Sequence, residues 1–509
     1  MILSFVFVLW LLDISTIKCL KFGNRILSKG LHKSPLFSSE IQDMNLFEQD
    51  SPFLNNNTPN NDPNNPNNNE RYKAITLFNI DQVAERYPRL QEKLDDIRLS
   101  SLIFPFKASP YVVDELIDWD CEGDIQNDPF YKLIFPTMDM LSERHQMMLK
   151  DTRDEHPLKL KEVVAEIRDE LNPHPAGQQT LNAPKEKELT GVQHKYTETV
   201  LFFPFAAQTC HAYCTYCFRW AQFIGDDDLK FAQSEADSLF KYLEEHKDVS
   251  DILFTGGDPM IMKTRVLKKY LEPFKDPNFL PHIKNLRIGT RTLTFWPQRF
   301  LTDNDADELF DLMSELKEKG NRQFAIMAHL SHKRELETDK VREAIKRLQT
   351  QGKAVIRSQA PIMRGINDNA KIWTDKWKEE VNLGIVPYYM FVARDTGAQA
   401  FFGVSLAKAH EVFSNAIRTC SGLAKTVRGP SMSCTPGKVE ITGIEEINGE
   451  LAYVMRFLQC RNSDWIGKIF FAKYDDTAIW FDELKPLEGQ QLPWDDAGLP
   501  REVPKKLIN

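Results

Sequence analysis

Cysteine is scarce in this 509-residue chain, and its distribution is uneven. Of eight cysteines, Cys210, Cys214 and Cys217 fall within eight consecutive positions, while Cys19, Cys121, Cys420, Cys434 and Cys460 are scattered. A secreted disulfide framework would be denser and more regular, so the clustered three point to metal chemistry in a reducing compartment. A basic excess is missing too. Lys and Arg number 64 against 73 Asp and Glu, a net charge of −9, which leaves no basic footprint of the kind nucleic-acid binding requires. Long apolar runs are absent apart from Ile2–Leu12 (ILSFVFVLWLL), which is too short to span a bilayer comfortably. The rest is ordinary: 42% hydrophobic and 27% charged residues suffice for packed cores, and the length suggests two or three domains.

The apolar run has signal-peptide length but no positive n-region. Residues 20–39 then carry Lys21, Arg25, Lys29 and Lys33, with no acid before Glu40. A signal-like leader at 1–19 followed by a basic, acid-poor stretch resembles the bipartite plastid-targeting leader of apicomplexan parasites. It implies an organelle, with the secretory pathway as the alternative and no stable membrane association once the leader is removed. Residues 55–69 (NNNTPNNDPNNPNNN) are almost pure Asn and Pro and cannot bury apolar surface, so 20–70 reads as transit-like stretch and disordered spacer.

Folded protein is expected from about Arg71. Residues 71–195 look mainly helical: Leu77, Ile80, Val83 and Tyr87 recur at three- to four-residue spacing, Leu94 and Ile97 follow, and 158–171 (LKLKEVVAEIRDEL) ends at Asn172-Pro173. From Val200 short apolar runs alternate with amphipathic helices. Candidate strands are 200–205, 251–254, 285–289, 323–327, 353–357 and 386–392. One intervening helix carries Leu309, Phe310, Leu312, Met313 and Leu316, with Asp303 as its expected N-cap. Repeated βα units imply a parallel sheet with outer helices. The fold class is therefore α/β, a partial (β/α)6 TIM-like barrel over 196–438, with its chemistry at the C-terminal strand ends. Residues 439–509 read as a small β-rich appendage, since Asn448-Gly449 between two alternating runs is a strong hairpin signal.

The segment Cys210-His211-Ala212-Tyr213-Cys214-Thr215-Tyr216-Cys217 directly follows the first barrel strand. Spacings of four and three let one short loop wrap three corners of a cubane through thiolates, leaving the fourth iron open for a small molecule. Zinc held by Cys₃His through His211 is an alternative, although adjacent Cys and His ligands are awkward for one tetrahedral ion. A strand, then CxxxCxxC, then repeated βα units resembles the radical S-adenosylmethionine (SAM) enzymes. The resemblance implies a [4Fe–4S] cluster on Cys210, Cys214 and Cys217, with SAM chelated at the open iron and cleaved to a 5′-deoxyadenosyl radical. A small electron donor such as a ferredoxin or flavodoxin is implied with it. Gly256, Gly257 and Asp258, after the second strand, match the family's SAM-binding segment. There the glycines would let the backbone approach the methionine amino group and the acid would favour its charge.

Ordered blocks over most of 100–440 narrow the resemblance to the lysine 2,3-aminomutase group. They include FPFKASPYVVDELIDWDCEGDIQNDPFYKLIFP, HKYTETVLFF, DILFTGGDPMIM, NLRIGTRTLTFWPQR, AHLSHKRELET, SQAPIMRGIND and PYYMFVARD. Those enzymes shift an amino group between neighbouring carbons with pyridoxal phosphate (PLP). The resemblance implies Arg219 for the substrate carboxylate, Asp368 for a distal amine, Lys438 in the place of the lysine that carries PLP, and Lys195 and Tyr196 at its phosphate. Each has a plain alternative, such as a surface arginine, a helix cap or a Pro-Gly-Lys turn. Three features depart from the group. Thr199 replaces a second arginine, a single Gly437 stands for a longer glycine run, and no acid occurs among Ser431, Met432, Ser433 and Cys434. No C-terminal zinc set is found either. Asp395 could replace the missing acid, and His329 and His332 could face the cavity.

These departures weaken free lysine as substrate and leave three hypotheses. The first is an aminomutase-like isomerase acting on an amino acid. The second is a PLP-independent radical SAM enzyme, and the third a non-catalytic iron–sulfur or metal-binding protein. The sequence leaves the oligomeric state open.

Overall fold

The computed structural model describes residues 72–153, 156–173, 182–184, 189–226 and 229–489. The expected leader and the Asn-rich spacer lie outside the described residues. Among the described residues no helix is long and apolar enough to cross a membrane.

Chain entry is helical, as the periodicity implies, but in short pieces. Ile80–Ala84 and Leu94–Ser100 flank the one-turn Pro88–Gln91, because Pro88 lacks the N–H that would continue the first helix. Ile80, Val83, Leu94 and Ile97 are all buried. A longer helix, Pro157–Leu171, ends at Asn172 and turns Leu160, Val164 and Ile167 inward. The expected helical region ends early. Strand β1 (Val192–Tyr196) forms an antiparallel hairpin with β2 (Thr199–Phe202).

β2 opens the parallel series. β3 (Asp251–Phe254), β4 (Asn285–Thr290), β5 (Gln323–His329), β6 (Val355–Ile362) and β7 (Val386–Val392) add in chain order, each hydrogen-bonded in parallel to the one before. Helices Ala236–Glu245, Thr264–Leu271, Ala306–Glu318, Asp339–Thr350, Ala370–Asn382 and Leu406–Arg418 follow the six strands in turn. The architecture is a mixed α/β partial barrel with a C-terminal β region, as the βα alternation implies. The N-cap of Ala306–Glu318 is Asp305 rather than Asp303. Asp305 also accepts from Thr264 N and pairs with Arg299, which ties two neighbouring loops to this helix start.

Alternation along the strands sorts their side chains. Ile252, Phe254, Leu286, Ile288, Phe324 and Ile326 are buried in the main apolar core with the helix residues Leu309, Phe310 and Leu312. The opposite parity, including Leu253, Arg287, Gly289, Met327 and His329, lines the interior. β8 (Arg428–Ser433) pairs in parallel with β7, and β9 (Gly437–Ile447) returns antiparallel to β8. β10 (Glu450–Cys460) and β11 (Ile469–Lys473) complete one eleven-stranded sheet. Asn448 and Gly449 both take positive φ, 54° and 85°, the geometry a two-residue hairpin turn requires. The C-terminal strands thus continue the barrel sheet, over a second apolar cluster that includes Val439, Ile441, Tyr453, Met455 and Phe457.

Candidate active site

A cavity of about 400 Å³ occupies the barrel interior. It reaches from the cysteine loop, at the C-terminal strand ends, down to Thr199 and Arg287. The site therefore runs deeper than the strand tips that barrel analogy indicates.

Cys210, Cys214 and Cys217 are free and half-buried, and all three line this cavity. Their loop is held by its backbone. Tyr213 N donates to Lys107 O at 2.9 Å, Thr215 N to Leu133 O at 3.0 Å and Cys217 N to Cys214 O at 3.0 Å. Lys107, buried, donates to Thr209 Oγ1 at 2.8 Å. The helical region thus sets the cysteine loop, a role its sequence did not announce. Burial pushes all three thiols up, and metal binding would have to displace their protons. Among the described residues no three His, Cys, Asp or Glu side chains gather as the ligands of one metal ion. His211 is buried with Nδ1 3.0 Å from Thr292 Oγ1, so it already has a structural partner.

The glycine segment has a packing role of its own. A Cβ on Gly257 would lie 2.4 Å from Thr209 O and 2.6 Å from Thr209 N. Gly257 N donates to Ala207 O at 2.9 Å and Asp258 N to Thr209 O at 2.8 Å. Gly256 has φ of 136°. The glycines let this loop dock against the chain entering the cysteine loop. Asp258 is wholly engaged: Oδ1 accepts from Met260 N and Thr290 Oγ1, and Oδ2 from Arg291 N, Thr292 N and Thr292 Oγ1. It braces the turn that carries Arg291.

Arg291 in turn holds Tyr216. Its guanidinium donates to the Tyr216 hydroxyl and to Ser331 Oγ, and pairs with Glu335. The hydroxyl hydrogen is then left for His329 Nε2, 2.8 Å away. Burial and the nearby Arg291 and Lys376 push the His329 pKa well down, so the ring is the neutral acceptor this bond needs. Sequence reasoning singled out His329 but missed Tyr216 and Arg291. Their signal was a tyrosine inside the cysteine motif and an arginine just past a barrel strand.

Elsewhere on the wall Lys438 sits at the start of β9, directly after the bend at Thr435 and Pro436. A Cβ at Gly437 would meet Gln459 O at 2.4 Å and Cys460 Cβ at 2.5 Å, so that glycine is needed for β9–β10 contact. Lys438 Nζ lies 4.2 Å from the Tyr389 ring centroid. Burial, with Arg287, Arg428 and Arg394 nearby, lowers its pKa to about 7. Lys195, also lowered to about 7 by burial and neighbouring cations, donates to Cys434 O. Tyr196 and Thr199 line the same wall. Thr199 donates to Asp251 Oδ2 at 3.1 Å, and Asp251 also pairs with Arg287. Arg219 is buried over the Phe203 ring, 4.2 Å to the centroid, and its Nη1 has no hydrogen-bond partner.

Three expectations are not met by the structure. Asp368, His332 and Asp395 do not line the cavity. The turn containing Asp368 is shaped by Asn367, which binds Met363 N, Ser331 O and Pro361 O. His332 Nδ1 accepts from Arg334 N as a cap.

No family model matches the chain. A protein of Aquifex aeolicus (strain VF5) named "Putative L-lysine 2,3-aminomutase" is 28% identical over 413 residues, 81% of this chain and 95% of the relative. The L-lysine 2,3-aminomutase of Bacillus subtilis (strain 168) is 26% identical over 244 residues, 48% of each chain. The chain is homologous to the lysine 2,3-aminomutases, a radical SAM family. The Glutamate 2,3-aminomutase of Clostridioides difficile (strain 630) is also similar, 27% identical over 215 residues, 42% of this chain and 47% of the relative. The chain thus spans about half the length of these last two relatives. Homology to the lysine 2,3-aminomutases supports an enzyme of that superfamily and implies an iron–sulfur cluster, SAM and PLP. The residues present fit these groups. Three free cysteines share one loop, and a lysine with a lowered pKa stands near a second lysine and a tyrosine in the same cavity.

Proposed function

We propose that the protein is a radical SAM enzyme that carries out an aminomutase-type 1,2-amino shift on an amino acid. The observation that carries this reading is the meeting of Cys210, Cys214, Cys217, Arg219 and Lys438 on the wall of one cavity. When bound, a [4Fe–4S] cluster with SAM supplies the 5′-deoxyadenosyl radical and PLP carries the amine during its shift.

The chain's own residues prepare the site. The three cysteines would hold the cluster, and the Gly256–Asp258 clamp keeps their loop in place. With its pKa near 7, a substantial share of Lys438 is the free amine at neutral pH, the form that bonds a carbonyl carbon. Lys195, with Tyr196 beside it, would meet a phosphate as a point charge. Arg219 would take the substrate carboxylate through its guanidinium, whose Nη1 has no other hydrogen-bond partner. Phe218, Phe295 and Phe391 line the same space and make part of its wall apolar.

The test is 5′-deoxyadenosine formation by anaerobically reconstituted protein given SAM and a strong reductant. Product should form, and Cys214→Ala should abolish it; no product from protein with a verified cluster sinks the reading. Engagement of Thr199 by Asp251 favours a second reading, a PLP-independent radical SAM enzyme. PLP absorbance that is lost in Lys438→Ala would remove it. A plastid-like compartment is part of the proposal and rests on the basic, acid-poor 20–39. Residues 1–70 fused to a fluorescent protein should reach an organelle rather than the medium.

A further inference from the structure

Among the described residues, six basic side chains line the cavity (Lys195, Arg219, Arg287, Arg291, Arg394 and Lys438), and the only acid lining it is Asp258. Asp258 spends its carboxylate on five hydrogen bonds within its own loops. Arg287 is neutralised by Asp251 and Arg291 by Glu335. Lys195 and Arg394 donate only to main-chain carbonyls, of Cys434 and Ser433 respectively. Asp395 and Asp482 act on the Cys434 thiol but do not line the cavity.

Arg219 is buried and Lys195, Arg394 and Lys438 are half-buried, and cations that face a cavity lined by no free carboxylate are best matched by an anion on whatever binds. On the aminomutase reading, on which this inference rests, Lys438 works as the free amine and asks for none. A phosphate answers Lys195, and one substrate carboxylate answers Arg219. Arg394 is left over. It stands just past β7, its guanidinium 4.8 Å from the Phe218 ring centroid, and Arg219 lies 5.1 Å from the same centroid. Two guanidinium groups around one ring are close enough together for one small molecule to touch both. Arg461, the remaining cation near Lys195, is tied to Asn182 Oδ1 and Thr435 O and does not line the cavity.

We propose that Arg394 receives a second negative charge, on the side chain of the substrate, so that the substrate is an acidic α-amino acid. A side-chain ammonium would instead meet the Arg394 guanidinium, and the one acid lining the cavity, Asp258, is already engaged. Bidentate arginine–carboxylate geometry suits the acidic partner.

The test uses full-length protein reconstituted with cluster and PLP. PLP absorbance and 5′-deoxyadenosine formation are recorded before any amino acid is added. Failure of either removes the aminomutase reading and this inference with it. Calorimetric titration with L-glutamate, L-aspartate and L-lysine then reads selectivity directly. At least one acidic amino acid should bind about tenfold or more tighter than L-lysine. Arg394→Met should lose that preference at unchanged PLP content, and Arg394→Lys should retain it with weaker affinity. L-Lysine binding as tightly as both acids, or an unchanged preference in Arg394→Met, overturns the assignment. Loss of PLP from both variants also overturns it, because Arg394 would then belong to the cofactor phosphate.

Discussion

Lys438 and Lys195 share an acid-free wall, and burial draws each from the ordinary 10.5 to about 7. An unfolded lysine still binds its proton near neutral pH while the folded one has begun to lose it. The unfolded state then holds more protons, so stability rises with pH from about 7 towards 10.5. Buried thiols such as Cys434, whose pKa is pushed well up, act in the opposite sense, but only once unfolded thiols ionise near 9. Between pH 7 and 8, where most unfolded thiols still hold their protons, the lysines therefore dominate. Urea midpoints of cofactor-free protein should increase across this range, and a Lys195→Met, Lys438→Met double variant should show a flatter profile. Arg219 is lowered to about 9 by burial and Arg394. Arg219→Lys should raise KM for the amino-acid substrate while leaving SAM cleavage without substrate unchanged, because a lysine cannot reproduce the guanidinium fork.

Two loops, one after β2 and one after β3, form the element that sets the site. Neither is regular structure, and each holds the other through main-chain bonds and the absence of a side chain at Gly257. Gly257→Ala would place a carbon against the Thr209 backbone, with no flexible atom able to yield. The variant should incorporate less iron on reconstitution and melt at lower temperature. Gly449→Ala has open space and meets only the backbone cost of φ at 85°, about 1 kcal/mol, so iron incorporation should be untouched. Asp258→Ala removes one acceptor from each of three buried N–H groups and two hydroxyls, while Thr292 keeps other partners, Thr290 Oγ1 for its N–H and His211 for its hydroxyl. A cost of about 3 kcal/mol or more in urea unfolding is expected.

Across the molecule the sheet is continuous from β1 to β11. The C-terminal strands are therefore part of the cavity wall: Lys438 pairs with Gln459 in β10 and with Ser433 in β8. A chain ended after Pro436 would lose Lys438 and expose the β8 edge. It would also remove Val439, Ile441, Tyr453, Met455 and Phe457, the buried partners of Met432. Truncated protein should aggregate on size-exclusion chromatography and be cut by protease where the intact chain resists, because an unpaired apolar strand edge recruits other chains.

The βα rhythm, the buried helix faces and the Asn448-Gly449 hairpin were legible in the chain, because each depends on residues within a few positions of one another. So was the cysteine triad, whose spacing is local. The ends of elements were less so: β6 begins at Val355 and runs to Ile362, well past the short apolar run that marked it. What only the tertiary structure decided is which side chains share the cavity. Asp368, adjacent in sequence to a well-marked turn, stays off the wall, while Arg394, Tyr216 and Arg291 reach it from three different loops. Spacing along the chain governs the register of a helix or a strand. Which charges face one another across a barrel depends on closing loops of hundreds of residues, and on which acids, such as Asp251 and Glu335, are already paired when they arrive.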